Sequence, residues 1–523
     1  MRNSAEAFPQ KCWMMANRLP HYCVVGGGIA GLSTAYFISM VRPPGSCRLT
    51  VLESGNKFGG WIHSMKNPRT GAVYELGPHS ARAVGPTSRL LLRLALSLDL
   101  HNSLLWMRSN EDAVRRFIYV GGNLAEISPF RLHKEKPFTR THIGMFARRL
   151  FASRPPRKSD WSVDEFLRTR FDDELADYLG SAMMRGIYAG DSRELSARAC
   201  LPKLVETEEN GPNLLLGMLL SAIRSSKSPS SSVAIPSQID SKLPEIGSIL
   251  PSKTFAWSLH NGMQTITDRL AQKIRDLGPH VTLQANACVR GISHSGGKFS
   301  VQWGDEQNLH ANLQDIDALF LCCPSYQSAE LLEELASPVV ISRLRKDKLP
   351  WANVAATVVE LERKSAQPPV RGFGHLVPRT EDPHILGIVY DSVAFPDLDS
   401  PDGSSVRYTV MLTPPSDWLS CGQCIDEKIE KKALDALKEH LKFQNLEVLG
   451  SKSTLLRDCI PQYPLGHIDN IRAVREELSS SLCQRSSNSG GIHLVGSSYD
   501  GVGLGDVVSS ALKAVCCELN LSI

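Results

Sequence analysis

A chain of 523 residues exceeds what one hydrophobic core usually organises, since cores stop growing beyond roughly 250–300 residues, so at least two domains are expected. Hydrophobic residues at 42% and charged residues at 21% exclude a disordered or fibrous chain. A formal charge of +4 is small for this length and gives no case for nucleic-acid binding.

The first 20 residues set Arg2, Lys11 and Arg18 against Glu6 and lack a secretory apolar core, so they are expected to form a disordered extension, with a weak transit segment as the alternative. No run approaches the ~18–20 apolar residues of a spanning helix. The best, Leu214 to Ile223, is about half that length. Any membrane contact is therefore expected at the surface of the bilayer. Thirteen cysteines, scattered from Cys12 to Cys517, do not space like a secreted disulfide framework. Cys421 and Cys424 form the only CxxC and have no second pair to close a zinc site; no metal is expected.

In chain order, His21-Tyr-Cys-Val-Val-Gly26 predicts a strand, Ala30 to Ser39 a helix and Arg48-Leu-Thr-Val-Leu-Glu53 a second strand. Pro43-Pro44-Gly45 supplies the turn between the last two. Residues 86–100 read as an amphipathic helix carrying Leu90, Leu91, Leu94 and Leu98 on one face. Residues 131–158 hold nine Lys/Arg against the single acid Glu135, interleaved with Phe138, Ile143, Met145, Phe146, Leu150 and Phe151. That pattern suits either a solvated basic loop and helix or a patch resting on an anionic membrane. Residues 225–253 are Ser/Pro-rich and predict a surface insertion. Phe255 to Leu259 predicts a strand, Gly262 to Leu270 the start of a helix, and residues 281–303 and 353–413 further strands. Gly491 to Gly496, a glycine-rich turn, and Val507 to Leu519 repeat the strand–turn–helix order at the C-terminus.

Gly26-Gly27-Gly28-Ile29-Ala30-Gly31 fits G-x-G-x-x-G between a strand and a helix, and Glu53 ends the next strand. In that pattern the first glycine makes the tight turn and the second admits a pyrophosphate. The third lets helix and strand pack closely, and the acid accepts from ribose hydroxyls. The fingerprint alone does not separate FAD from NAD. Phe58-Gly59-Gly60-Trp61 after Glu53, and the second glycine-rich turn at residues 495–503, favour FAD enzymes related to the amine oxidases. The helix beginning near Gly503 would aim its positive end at a reduced flavin ring.

Five further blocks carry a closer resemblance: Arg116 to Gly122, Arg185 to Ser196, Gly372 to Pro378, Leu386 to Pro396 and Cys459 to His467. Over residues 22–517 the chain resembles the oxygen-dependent, FAD-containing protoporphyrinogen oxidases of haem biosynthesis, in their animal mitochondrial form. The resemblance implies an α/β fold with an α+β substrate region. A Rossmann-like FAD domain of the amine-oxidase/p-hydroxybenzoate-hydroxylase type would comprise residues 21–100, 254–325 and 455–523. Residues 101–224 would form a mostly helical membrane-binding domain and residues 326–454 the substrate domain.

The same resemblance implies one non-covalent FAD per chain. Its contacts would fall on Gly26 to Gly31, Glu53, Ser54, Trp61, Gly77, Pro78, His79, Ser80, Val289, Ser497, Val502, Gly503 and Leu504. Arg116, Gly186, Ile187, Phe373, Leu376 and Met411 would line the substrate cleft, with Arg116 gripping a propionate. No catalytic acid or base is assigned. Three two-electron rounds with O2 would turn protoporphyrinogen IX into protoporphyrin IX and hydrogen peroxide. A homodimer on the intermembrane-space side of the mitochondrial inner membrane, handing product to ferrochelatase, is implied likewise. Three positions depart from the family: His79 stands where Arg is usual, Asn261 where glycine is usual in a turn needing φ > 0, and Gly505 where Asn is usual. An FAD amine oxidase of the same fold and a non-catalytic porphyrin-binding flavoprotein remain the alternatives.

Overall fold

A computed structural model describes residues 18–108, 112–127, 158–209, 233–304, 309–420, 425–485 and 490–522. Apolar strands His21–Val25 and Arg48–Leu52 pair in parallel at the centre of a five-stranded sheet. Val281–Gln284 adds outside the second, and Ala318–Leu321 followed by Ile492–Leu494 outside the first. Strands from both chain ends thus share one sheet. The register aligns Val25 with Leu52 and Leu321, and Leu321 with Leu494. The loops that leave the carboxyl ends of these strands therefore emerge side by side, where open α/β sheets bind ligands.

The helix Ile29–Val41 is buried along most of its length, as a helix lying on a parallel sheet must be. It packs against the C-terminal helix Leu504–Glu518, which in turn packs against Pro86–Ser97, whose leucines at 90, 91, 92, 94 and 96 are all buried. An Ala at position 31 would put its Cβ 1.9 Å from the Gly26 carbonyl oxygen, so helix and strand can meet only at glycine.

A seven-stranded sheet forms the second layer system, with outer strands Val448–Pro461 at one edge and Asn123–Glu126 at the other. Between them run Trp351–Glu362, Ser405–Leu412, Ile385–Val389, Gly374–Leu376 and Arg116–Val120. One face buries Tyr119, Val359, Ile388, Tyr408 and Val410 against the helix Ile425–Leu441. On that face His375 and His440 share a 2.9 Å hydrogen bond between their rings.

The domain expectations need two corrections. Residues 101–127, expected within a mostly helical region, hold strands: Leu104–Arg108 joins Thr254–Leu259, and Arg116–Val120 with Asn123–Glu126 complete the seven-stranded sheet. Helices dominate only within Val163–Glu209. Residues 233–253, expected as part of a surface insertion, run along the main core, where Ile239 in the short helix Ser237–Asp240 and Leu243 and Ile246 beyond it are buried. Arg93 fastens this segment through Asp240 at 2.6 Å and the Leu243 carbonyl at 2.7 Å. The basic stretch up to residue 157, Leu214 to Ile223 and the Cys421–Cys424 motif lie outside the described residues. Among the described residues no helix is long and apolar enough to cross a membrane.

Candidate flavin and substrate site

The two glycine-rich loops meet at the sheet's carboxyl edge. A Cβ on Gly496 would lie 3.7 Å from that of Ala30, so the C-terminal turn abuts the first turn of the N-terminal helix. Neither Ile29–Val41 nor Leu504–Glu518 has a side-chain cap, and the first has no acid in its first turn. Both helices thus offer backbone N–H groups and positive partial charge to an anionic or electron-rich ligand.

Gly28 is the point of closest access. Within 4 Å, a Cβ there would meet only the Gly60 Cα, at 3.8 Å, leaving a backbone cradle that any side chain would fill. The GG doublet lies against the fingerprint through a 2.9 Å bond from Gly59 N–H to the Gly27 carbonyl. Glu53 accepts from Gly27 N–H at 2.6 Å and from Gly55 N–H at 2.7 Å, which fixes its carboxylate beside this cradle. Ser54 donates to the same carboxylate at 3.3 Å. Val289 is the second residue of the strand Cys288–Ser295, which leaves Glu53's flank, where Ala287 N–H bonds the Glu53 carbonyl. This donor set, with an acid placed for a ribose, fits a dinucleotide flavin.

Trp61, 38% exposed, stands 6.1 Å from the Trp351 ring, and the Gly77–Ser80 turn continues this wall. His79 is half-buried and bonds Asp391 at 2.8 Å through Nδ1. Asp391 in turn accepts from Thr409 Oγ1 at 2.7 Å. The departure from Arg at position 79 is thus matched by an ion pair that ties the flavin-side turn to the seven-stranded sheet. Burial disfavours charge on His79, yet the Asp391 carboxylate, its hydrogen bond and nearby Glu75 together hold its pKa above the usual value. Burial likewise disfavours charge on Asp391, and His79 with Arg407 and Thr409 holds its carboxyl below the usual range.

The remaining departures have physical readings too. Asn261 does not carry the positive φ expected of it; Gly262 does, at +84°, so the turn keeps its glycine one position later. Gly505 is obligatory here, since a Cβ would come within 2.7 Å of Thr87 backbone atoms. Thr87 then donates to Asp506 at 2.8 Å, pinning the start of the last helix.

The other face of the seven-stranded sheet collects the expected cleft residues. Register places Arg116, Gly374, Val389, Thr409 and Val358 in one row across five strands. The next row on that face is Ile118, Leu376, Gly387, Met411 and Ala356. Arg116, Leu376 and Met411 are therefore coplanar neighbours although 295 residues (411 minus 116) separate the first from the last. Phe373 precedes this strand and lies with its ring centroid 5.5 Å from the Arg116 guanidinium carbon. Phe255, which sequence reasoning placed only in a strand, lies closer, at 4.2 Å.

Gly186 acts by absence of a side chain. Its Cβ would strike Leu376 Cδ2 at 2.5 Å, so glycine lets the helix Ser181–Tyr188 settle onto the sheet. Ile187 beside it is 47% exposed. Arg185 locks this helix by donating to the Val377, Asp382, Pro383 and Ile385 carbonyls. Tyr188, at the helix end, contacts Tyr463 with rings 5.6 Å apart. The Tyr463 hydroxyl bonds the Ser497 carbonyl in the C-terminal turn, and Val502 packs on the same cluster. Cleft helix and flavin turn are thereby joined.

Arg116 is the one charged member of the expected cleft set. Among the described residues it has no carboxylate partner. Burial, followed by repulsion from Arg82, lowers its pKa. A half-buried guanidinium between two aromatic rings is a site for a carboxylate attached to an apolar body. Asp391 and Phe255 were the functional partners that sequence reasoning missed. Asp391 lies inside the block Leu386 to Pro396, but nothing in one sequence pairs it with His79.

The model of the family described as flavin containing amine oxidoreductase matches residues 29–517. Human protoporphyrinogen oxidase is 33% identical over 508 residues, covering 95% of this chain and 98% of its own. The Schizosaccharomyces pombe protoporphyrinogen oxidase is 29% identical over 504 residues, covering 93% and 96%. Among solved structures, a protein from Exiguobacterium sp. 255-15 superposes with a TM-score of 0.74 at 23% identity, covering 96% and 99% of the two chains, which supports the fold.

The His79–Asp391 pair sets a pH window. His79, raised above its ordinary 6.5, contributes stability fully below that value and loses it as pH climbs through the raised pKa. Asp391, lowered from 3.8, contributes above that value and loses it as pH falls through the depressed one. Melting temperature should therefore decline on the alkaline side in the native protein, and this component of the decline should vanish in His79→Gln. Equal alkaline slopes for the two proteins would refute the pairing.

Proposed function

The chain belongs to the protoporphyrinogen oxidases within the flavin-containing amine oxidoreductases, and on that premise we propose that it converts protoporphyrinogen IX to protoporphyrin IX using non-covalent FAD and O2. It is a flavin-dependent oxidoreductase of porphyrin biosynthesis. Porphyrinogen loses six hydrogens, as six electrons and six protons, so three O2 become three hydrogen peroxide. A bound flavin supplies a two-electron acceptor that O2 regenerates, one pair of electrons at a time.

The chain's own residues supply binding and orientation. Arg116 holds a propionate in a charge-assisted pair, while Phe373, Leu376, Met411 and Ile187 offer apolar contact to the macrocycle. The uncapped amino terminus of Leu504–Glu518 presents positive partial charge to the ring side of the cofactor, and the one starting at Ile29 does so to its phosphates. Growing conjugation of the product drives the oxidation, so fixed geometry is what the walls must contribute.

The single observation that carries this reading is Arg116, a guanidinium stacked on two phenylalanines without a carboxylate partner among the described residues. It also disfavours an amine oxidase. A cationic amine would face Arg116 and Arg82, whereas a dicarboxylate is attracted to them. A carrier has no need of a backbone cradle for flavin phosphates.

The reading extends to a homodimer lying on the intermembrane-space side of the mitochondrial inner membrane, where an apolar product could pass to ferrochelatase without crossing water. The basic and aromatic composition of residues 131–158 supports the membrane contact alone; the dimer and the compartment rest on the family resemblance.

Purified protein supplied with protoporphyrinogen IX under air should yield fluorescent porphyrin and three peroxides per product, and should ignore phenethylamine and polyamines. Arg116→Ala should raise KM about 10- to 100-fold, matching the roughly 1.5–3 kcal/mol of a hydrogen bond to a charged group. Amine turnover without porphyrin formation, or an unchanged KM, would overturn the assignment. Binding to anionic vesicles should weaken with salt and fall when Arg148, Arg149 and Lys158 are reversed to Glu; intact binding would remove the membrane proposal.

A further inference from the structure

Beyond the cleft, a cavity of about 470 Å³ opens between the start of the helix Pro86–Ser97 and the strand Thr254–Leu259. Its apolar lining includes Val84, Ile246, Leu250 and Phe255, and its charged lining is Arg89 and Lys253. No acid lines it. Phe255 belongs to both sites: it lines the cavity, and its ring lies 4.2 Å from the Arg116 guanidinium.

The cations here are free in a way their neighbours are not. Among the described residues Arg82, Arg89, Arg116 and Lys253 form no ion pair, while Arg93, one helical turn beyond Arg89, is taken up by Asp240 and Glu245. Glu245, adjacent in sequence to the lining residue Ile246, is thus already engaged at 3.2 Å. Val84, an apolar side chain in the lining, is 68% exposed. Single exposed apolar residues are common, but one set among unpaired cations and beside an aromatic ring marks a surface for an amphiphilic anion. The volume falls within the ~300–1,000 Å³ typical of small-molecule sites.

We propose that this cavity is an outer docking site for the carboxylate-bearing edge of a tetrapyrrole, separated from the Arg116 cleft by the Phe255 ring. The inference rests on the reading of the cleft given above. A flat apolar macrocycle with two carboxylates entering or leaving the Arg116 site meets Arg89 and Lys253 at the rim. The apolar lining then shields its ring from water. Being exposed, the rim cations act through charge that salt screens, whereas Arg116 acts from a half-buried position.

Titrating flavin-loaded protein with protoporphyrin IX, followed by porphyrin fluorescence, should show two binding events. The double variant Arg89→Glu/Lys253→Glu should weaken the outer event by about tenfold or more and leave the inner one. Arg116→Ala should do the reverse. The outer event should weaken with added salt and be absent with the porphyrin dimethyl ester. Circular dichroism and retained flavin verify that the variants are folded. A single event sensitive to Arg116 but not to Arg89 and Lys253 would overturn the outer site and leave the cleft reading standing. Binding that no variant alters would defeat the cleft reading itself. Displacement of the outer event by a long-chain fatty acid as effectively as by porphyrin would refute tetrapyrrole specificity.

Discussion

Everything in this molecule depends on the convergence of two helix amino termini at the carboxyl edge of one parallel sheet. A helix can offer its free N–H groups to a ligand only if no side chain caps them and if the preceding backbone comes close enough. Glycine meets both conditions at Gly28, and Gly503 opens the second helix without a side-chain cap. The strands that carry these loops lie two apart in the same sheet, because Ala318–Leu321 sits between them. Chain ends nearly 500 residues apart thus contribute to one site by strand register alone.

The second constraint is the coupling of that site to the seven-stranded sheet. Polar links cross between them, among others the following three. His79 bonds Asp391, Arg407 donates to the Val73 carbonyl at 2.8 Å, and Tyr74 donates to Glu360 at 2.6 Å. Each joins the segment after the GG doublet to the same sheet face that bears Arg116 and Met411. Buried charged groups are costly unless paired, so these contacts hold the two bodies in one relative orientation. The sheet face that bears Arg116 and the glycine-rich loops are therefore held in a fixed relation to each other.

Much of this was legible in the sequence where a local pattern has a local cause. The fingerprint, Glu53 and the leucine-rich helix after residue 86 follow from turn chemistry and periodicity, and the structure places them within a few residues of expectation. The Ser/Pro composition of residues 225–253 misled because it hid three apolar residues, Ile239, Leu243 and Ile246, that dock on the core. The strands at residues 104–126 were absorbed into a helical region because their partners lie far away, at Thr254–Leu259 and Gly374–Leu376. Pairings such as His79 with Asp391 or Arg116 with Phe255 are tertiary facts, and no single sequence contains them. The cleft set itself rested on resemblance; sheet register is what brings Arg116, Leu376 and Met411 onto one face.

The flavin content of purified protein tests the convergence most directly, taken together with that of two single variants, Gly28→Val and Gly503→Val, one in each loop. The account predicts about one FAD per native chain, and its loss from either variant while circular dichroism stays unchanged. Colourless native protein that takes up no added FAD, or retention of full flavin by a folded Gly28→Val chain, would contradict it.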